Sequence, residues 1–275
     1  MIVGVALAVI SAFCWGAGGS VFKRGLRGIS EIEGNLLRSV FVSLYLFPFV
    51  VISGFKLYDL NTIILLILSS LLAFFVGDLL YFSSLKRSTV SVSLPLASTY
   101  PIHVLILSSI IYKTQITLEL VLASFLVLLA VIVVPKESGG RISGAYLALL
   151  AALSWALSMI ILDYLTKVMS TVEIAFYRML LNAALLFSLT RRVKFSKDAA
   201  IFMGVIGGLI SAIGILSFVK AVELIGSHRV SPISATSPVI GAVISRIYLK
   251  EKLTLRSLFA AFLIFLSVLL VSKSF

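Results

Sequence analysis

Long apolar stretches, separated by short polar segments, fill the sequence from one end to the other. A helix needs about 20 mostly apolar residues to cross the roughly 30 Å hydrocarbon core of a bilayer. Ten stretches of about this length lie near residues 2–22, 33–53, 61–83, 89–111, 118–135, 143–165, 172–190, 199–221, 229–248 and 255–272. The pattern predicts an all-α membrane protein with ten transmembrane helices and no soluble domain.

The second half of the sequence repeats the first. An offset of 140 residues places Gly4, Trp15, Ser30, Glu33 and Arg38 on Gly144, Trp155, Ser170, Glu173 and Arg178. An offset of 137 places Gly77, Pro95, Thr99, Pro101, Lys113 and Thr117 on Gly214, Pro232, Thr236, Pro238, Lys250 and Thr254. Coincidences of Trp, Glu, Arg and Pro are rare in a chain rich in Leu and Val. We therefore predict two repeats of five helices each, over residues 1–137 and 142–275.

Composition and charge fit a membrane protein and predict its orientation. Hydrophobic residues make up 60% of the chain and charged residues 12%, whereas about a quarter of the residues in soluble domains are charged. Fifteen of the 23 Lys and Arg residues follow the odd-numbered stretches, and six lie in the other segments and near the termini. Positive loops stay in the cytoplasm, so we expect a cell-membrane protein with both termini outside. Because five is an odd number, the second repeat is expected to be inverted.

Two prolines interrupt apolar stretches at matching places in the two repeats. Pro101 lies ten residues beyond Ser91, about 15 Å deep and half-way through the hydrocarbon core. Pro238 lies at the same depth from the other side, and Trp15 and Trp155 reach a similar depth. Proline leaves a backbone carbonyl unpaired, which a membrane tolerates where the break faces protein or a water-filled cavity. We predict that both breaks and both indoles line a substrate cavity at the midplane.

Two arginines lie inside apolar stretches. Arg38 and Arg178 follow Glu33 and Glu173 by five positions, which is a poor spacing for an ion pair within one helix. Charges at this depth usually face the interior of a helix bundle. We predict that the arginines bind an anionic group such as a carboxylate. The alternatives are pairing with the two glutamates and extension to lipid headgroups.

Asp78 is the deepest acid, and its counterpart in the second repeat is Ile215. An unpaired acid inside a membrane can carry a proton, which makes Asp78 a candidate for proton coupling. The alternatives are a hydrogen-bonded structural role and a pair with Lys86. His103 is a second coupling candidate, with a packing role as its alternative. Further candidates for substrate contacts are the side chains Tyr81, Thr99, Tyr100, Tyr177 and Thr236.

Several short sequences resemble those of a known family. They are SEIE…R at 30–38, STVEIAFYR at 170–178 and LKEKLT at 249–254, together with a tryptophan in the first stretch of each half and a Pro-containing fourth stretch. The whole chain resembles the drug/metabolite transporter superfamily, in its ten-span EamA-type branch. The resemblance implies transport of amino acids, drugs, sugar phosphates or nucleotide sugars. One departure is YKTQIT at 112–117, which lacks the glutamate that LKEKLT supplies as Glu251.

We therefore expect a secondary transporter that moves a small organic metabolite, such as an amino acid, by alternating access, with proton-coupled export if Asp78 carries a proton. An uncoupled facilitator or channel-like pore is the main alternative. An intramembrane enzyme is disfavoured, because Phe75 stands where the Gly-x-Gly-Asp sequence of membrane aspartyl proteases has its first Gly.

The sequence also limits cofactors and partners. One Cys and two His make a Cys/His metal site improbable, so we expect no metal and no cofactor. The net charge of +12 is spread over short loops, which disfavours nucleic-acid binding. The expected partners are a small-molecule substrate and the lipid bilayer, and a monomer suffices because the repeat supplies a pseudo-dimer.

Overall fold

The computed structural model describes residues 1–113, 115, 117–133, 142–190, 196–250 and 255–273, and the regular elements in these ranges are all helical. In chain order they are α1 (Ile2–Gly25), α2 (Glu31–Ser53), α3 (Leu60–Arg87), α4 (Val90–Tyr112), α5 (Leu118–Val133), α6 (Ile142–Val168), α7 (Thr171–Leu189), α8 (Lys197–Ile225), α9 (Ser227–Leu249) and α10 (Leu255–Lys273). In the described residues, each predicted stretch corresponds to one of these helices, which confirms the all-α prediction.

The helices differ in how much of a bilayer they can cross. Within the described ranges, eight are long and apolar enough to span a membrane by length and composition. The other two, α5 and α10, contain the shorter apolar stretches Leu118–Ala130 and Leu258–Ser267. The end of the first predicted repeat at residue 137 and Glu251 lie outside the described residues.

Matching capping boxes begin the second helix of each repeat. In α2, Glu33 N donates to Ser30 Oγ at 3.2 Å, and Ser30 N donates back to Glu33 Oε2 at 2.8 Å. In α7, Ser170 and Glu173 exchange the same two bonds at 3.4 and 3.2 Å. These bonds satisfy N–H groups that a helix start leaves without partners. The repeated Ser-x-x-Glu sequences therefore set where α2 and α7 begin.

The packing of the helices follows the inverted repeat. The first helix of each repeat packs against the third and fourth helices of the other, so that α1 contacts α8 and α9 while α6 contacts α3 and α4. In addition, equivalent helices of the two repeats contact each other, α2 with α7 and α5 with α10. Small residues permit close approach in membranes. At Gly16 of α1, for example, a Cβ atom would lie 2.7 Å from Ile240 Cβ of α9.

Two helices break at matching positions. The breaks divide α4 into Val90–Ala97 and Tyr100–Tyr112, and α9 into Ser227–Ser234 and Ser237–Leu249. Each boundary in α4 lies 137 residues before its counterpart in α9. The interruptions predicted from the prolines are therefore present, and the repeat places them in equivalent helices.

Proline and threonine shape each break together. Pro101 and Pro238 occupy the first turn of the second segment, where a missing N–H removes no helical hydrogen bond. Thr99 Oγ1 donates to Leu96 O at 2.9 Å. Thr236 Oγ1 donates to Ile233 O at 2.7 Å. The threonine hydroxyls thus pair with backbone carbonyls beside the breaks, as a membrane interior requires.

Candidate functional site

A cavity of about 130 Å³ lies at the centre of the bundle, bounded by α1 to α4 and α6 to α9. The two helix breaks meet at this cavity: Ser98 and Ser237 both line it, and their hydroxyl oxygens are 3.5 Å apart. The wall is mainly aromatic and aliphatic. Among the described residues, its charged members are Arg38, Asp78 and Arg178.

Most of the lining consists of repeat-related pairs. The two offsets connect Trp15 with Trp155, Phe22 with Leu162, Arg38 with Arg178, Asp78 with Ile215, Tyr81 with Phe218, Phe82 with Val219 and Tyr100 with Ser237. Both halves therefore present equivalent positions to one cavity. This is the arrangement expected where two inverted repeats meet.

A hydrogen-bonded network surrounds Asp78. Arg38 Nη2 donates to Asp78 Oδ2 and, at 3.0 Å, to Asn35 Oδ1. Trp155 Nε1 donates to Asp78 Oδ1 and to Ala73 O, both at 3.1 Å. Arg38 and Asp78 are 3% and 6% exposed, so their attraction acts in a low dielectric. Both carboxylate oxygens accept a hydrogen bond, and the Asp78 carboxylate neutralises Arg38.

This network excludes two pairings that the sequence left open. The Glu33 carboxylate accepts hydrogen bonds from Ser30 at the start of α2, and Arg38 pairs with Asp78 instead. Lys86 Nζ contacts Glu31 Oε2 at 3.3 Å rather than Asp78. For Arg38 and Glu33 the reason is helix geometry, because residues five apart on α2 do not face each other.

A π-helical segment, Leu71–Gly77, precedes Asp78 directly and shapes this side of the cavity. Three successive carbonyls of the segment accept side-chain hydrogen bonds from other helices. They are Leu72 O from Ser154 Oγ at 2.6 Å, Ala73 O from Trp155 Nε1 at 3.1 Å and Phe74 O from Asn35 Nδ2 at 2.6 Å. Short π-helical segments of this kind are frequent at functional sites.

Gly77 leaves room for the Trp155 indole, because it has no side chain. A Cβ atom at Gly77 would lie 2.5 Å from both Cδ1 and Nε1 of Trp155. The counterpart, Gly214, lies against Cys14 and Trp15, where a Cβ atom would come within 2.9 Å of Cys14 Cβ. In each half, a glycine of the third helix thus makes room beside the tryptophan of the other half.

Arg178 lies in different surroundings from Arg38. Its Nη2 donates to Ser158 Oγ at 2.7 Å and to Ser69 O at 3.3 Å, and its guanidinium carbon lies 4.7 Å from the centre of the Phe74 ring. The side chain is buried, and its Nε, like that of Arg38, has no hydrogen-bond partner within the described chain. The ligands of Arg178 are therefore neutral, whereas Arg38 has a carboxylate.

The cavity brings together seven of the residues predicted from the sequence. They are Trp15, Arg38, Asp78, Tyr81, Tyr100, Trp155 and Arg178. The other six, which lie outside its lining, are Thr99, Pro101, His103, Tyr177, Thr236 and Pro238. For three of these six residues the structure shows why they lie outside the lining. The Thr99 and Thr236 hydroxyls bond to backbone carbonyls. Tyr177 is next to Arg178 on α7, so its side chain points about 100° away from that of Arg178.

Sequence reasoning missed several lining residues, and the repeat could have found some of them. Applying the offset of 137 to Tyr81 and Tyr100 gives Phe218 and Ser237, which both line the cavity. Ser158 is different, because its counterpart is Gly18 and no internal match points to it. Asn35 and Asn182 join α2 to α7, because Asn182 Nδ2 donates to Ser39 Oγ at 2.8 Å and to Asn35 Oδ1 at 3.4 Å.

Comparison with known proteins gives the family. The model of the EamA-like transporter family matches the chain twice, over residues 2–135 and 142–273. The chain belongs to the EamA-like transporter family. The predicted membership of the drug/metabolite transporter superfamily is thereby confirmed, and the chain is a membrane transporter of this family.

Two similar proteins extend this comparison. An uncharacterized transporter of Archaeoglobus fulgidus is 36% identical over 270 residues, which cover 97% of this EamA-like transporter and 97% of that protein. A protein of known crystal structure is 13% identical, with a TM-score of 0.76 over 99% of both chains. At this identity the second likeness concerns the fold alone. Both similarities extend over nearly the whole chain, so they include all the helices that form the cavity.

Proposed function

We propose that this chain is a secondary transporter that carries a small organic metabolite through the central cavity by alternating access. The observation that carries the proposal is that both repeats contribute residues to the cavity lining. Equivalent positions of two inverted halves, including the broken helices α4 and α9, surround one cavity. Secondary transporters bind substrate at such an interface, beside discontinuous helices.

The chemistry of the wall supports a small amphipathic organic metabolite. The Trp155 ring centre lies 5.4 Å from that of Tyr81 and 6.4 Å from that of Tyr100. Ser98 and Ser237 add hydroxyl groups at the helix breaks. Sites for small molecules commonly combine an apolar wall with a few polar groups that fix the orientation of the ligand.

Two contacts support alternation between the two ends of the bundle. Lys23, near the end of α1, donates from Nζ to Ser88 O at 2.7 Å, just before α4 begins. Asp163, the counterpart of Lys23 on α6, accepts from Ser227 N at 2.8 Å and from the Ser227 hydroxyl, where α9 begins. We name these contacts the Lys23 latch and the Asp163 latch. Because the repeats are inverted, the latches belong to opposite ends.

Each latch ties the first helix of a repeat to the start of its broken helix. Releasing one latch lets the first segment of that broken helix swing about its break, while the other end stays closed. The Lys23 latch joins an ammonium group to a neutral carbonyl. The Asp163 latch instead satisfies a backbone N–H at a helix start. A cation thus donates at one latch, and a carboxylate accepts at the other.

The orientation follows from the distribution of positive charge. The excess of Lys and Arg after the odd-numbered helices supports a cell-membrane protein with both termini outside and the Lys23 end in the cytoplasm. The Asp163 end then faces outward. Tags at each terminus, probed with antibodies in intact and permeabilised cells, test this orientation.

Asp78 is the residue that we propose for proton coupling. The sequence predicts an unpaired acid at this position, whereas the structure pairs Asp78 with Arg38, so proton uptake by Asp78 requires this ion pair to open. Asp78 is the acid of the cavity lining among the described residues, whereas His103 lies outside that lining. In proteoliposomes, proton-coupled flux follows an imposed pH gradient, and Asp78→Asn removes this dependence. Wild-type flux that does not change with the imposed pH gradient would identify an uncoupled facilitator.

The test of transport is solute counterflow in proteoliposomes, with a panel of labelled amino acids and organic acids. We expect saturable uptake that is accelerated by unlabelled solute inside. Trp155→Ala should weaken it at least tenfold, because the indole forms part of the wall, whereas Phe13→Ala, a change of an exposed residue on α1, should leave it unchanged. Ohmic current without counterflow would identify a pore and contradict the proposal.

A further inference from the structure

The two arginines of the cavity are not electrostatically equivalent. Asp78 neutralises Arg38 through an ion pair, whereas no Asp or Glu of the described residues lies within ion-pair distance of Arg178. Arg178 donates to the Ser158 hydroxyl and to the Ser69 carbonyl, which are both uncharged. The Nε atoms of both arginines are buried without a hydrogen-bond partner in the described chain, so the difference between them lies in the Nη2 partners. The Arg178 guanidinium is thus held in place by uncharged groups, with no described carboxylate in ion-pair contact.

The charged residues of the lining give an excess of one positive charge. Arg38 and Arg178 carry two positive charges, and Asp78 carries one negative charge. Asp78 also attracts Arg178 through space, but its two oxygens are already bonded to Arg38 and Trp155. Buried charges are normally paired, because an isolated ion in a low dielectric is strongly disfavoured. The excess positive charge therefore favours an anionic ligand, which neutralises it when the ligand occupies the cavity.

We propose that Arg178 is the docking point for the carboxylate of an organic monoanion, an inference that rests on the proposed transport function. A planar guanidinium with free donors matches a carboxylate, which it binds with two parallel hydrogen bonds. Ser158 and the Ser69 carbonyl position the guanidinium, and the aromatic wall around Trp155 contacts the organic part. One excess charge favours a monoanion over a zwitterion, since the amine of a zwitterion has only Asp78 to bind, which Arg38 already occupies.

A matched series of probes tests this assignment. The probes 3-phenylpropanoate, phenylalanine and 3-phenylpropanamide share one aromatic body and carry an anionic, a zwitterionic and a neutral head. Both tryptophans of the chain line the cavity, so intrinsic fluorescence of the purified full chain reports occupancy directly. We expect the propanoate to bind at least tenfold more tightly than the amide, with phenylalanine between them.

Variants of Arg178 show where the charge acts. Arg178→Gln should remove the preference for the anion, and Arg178→Lys should keep part of it because the charge remains. Arg27→Gln removes a charge at an exposed position and serves as the control, with unchanged affinities. Asp78→Asn should strengthen propanoate binding, since it raises the excess to two positive charges. Size-exclusion profiles show that each variant is folded before its affinity is compared.

Several outcomes would overturn the assignment. Equal binding of the amide and the propanoate in the wild type, or an anion preference that survives Arg178→Gln, places the charge recognition elsewhere and leaves the transporter proposal intact. Weaker propanoate binding in folded Asp78→Asn also contradicts it. Absence of saturable uptake for every solute of the wider panel would overturn the transport proposal and, with it, this inference.

Discussion

The two halves of this EamA-like transporter agree in where their helices begin and differ in their charges. Capping boxes, helix breaks and the arginines on α2 and α7 occur in both halves at matching positions. Asp78, however, corresponds to Ile215, and Lys23 corresponds to Asp163. Two identical inverted halves would treat both sides of the membrane alike. Differences such as these, in the cavity and at the latches, make the two ends of the protein chemically distinct.

The largest effect is expected from separating the Arg38–Asp78 pair. Arg38→Gln leaves the Asp78 carboxylate buried without its cation, and breaking a buried pair in this way costs about 3–5 kcal/mol. Arg178→Gln is the matched change in the other half, and it should be close to neutral because no carboxylate partner is left behind. Denaturant unfolding in detergent micelles measures both free energies.

The double variant Arg38→Gln/Asp78→Asn sharpens this comparison. Both groups are then neutral and can still form a hydrogen bond, so we expect most of the lost stability to return. Equal losses for Arg38→Gln and Arg178→Gln would show that the two arginines have the same environment, contrary to the account given above.

A smaller effect is expected at the glycines beside the tryptophans. Gly77→Ala would place a Cβ atom 2.5 Å from the Trp155 indole, which two hydrogen bonds hold in place. Overpacking of this kind costs about 1–3 kcal/mol. Gly214→Ala meets its nearest atom at 2.9 Å and should cost less. Thermal unfolding followed by tryptophan emission gives the order of the two variants, and the reverse order would refute the argument.

The smallest effect is expected at the threonines of the breaks. Thr99→Val and Thr236→Val each remove a bond to a carbonyl, with a loss of about 0.5–1.5 kcal/mol and no change in the affinity for a cavity ligand. Ser98→Ala and Ser237→Ala, one residue away, should alter that affinity instead, because these serines line the cavity. Fluorescence titration distinguishes the two pairs. A change in affinity for the threonine variants would put them in the substrate site.

The sequence was sufficient for the architecture because its signals are local or repeated. Apolar length predicted the helices, and the paired prolines predicted the breaks in α4 and α9. Trp15 and Trp155, which the sequence placed at matching depths, both line the cavity. The direction in which single side chains point was harder to predict. Thr99 and Ser98 are neighbours, yet one bonds to the backbone and the other lines the cavity.

Contacts between residues that lie far apart in the sequence were the other feature that the sequence alone could not predict. Arg38 and Asp78 are 40 residues apart, and their contact depends on how α2 packs beside α3 and on the π-helical segment before Asp78. No spacing rule in the sequence encodes such a contact. The same holds for Ser158, which bonds to Arg178 from another helix.

Accessibility of the cavity from each side of the membrane tests the central claim most directly. In a Cys14→Ala background, Ser237→Cys places a single thiol in the cavity, and a membrane-impermeant maleimide is added from one side at a time. We expect labelling from both sides. Lys23→Met should favour labelling from the cytoplasmic side, and Asp163→Ala should favour labelling from the outer side. Labelling from one and the same side in all three proteins would contradict alternating access through this cavity.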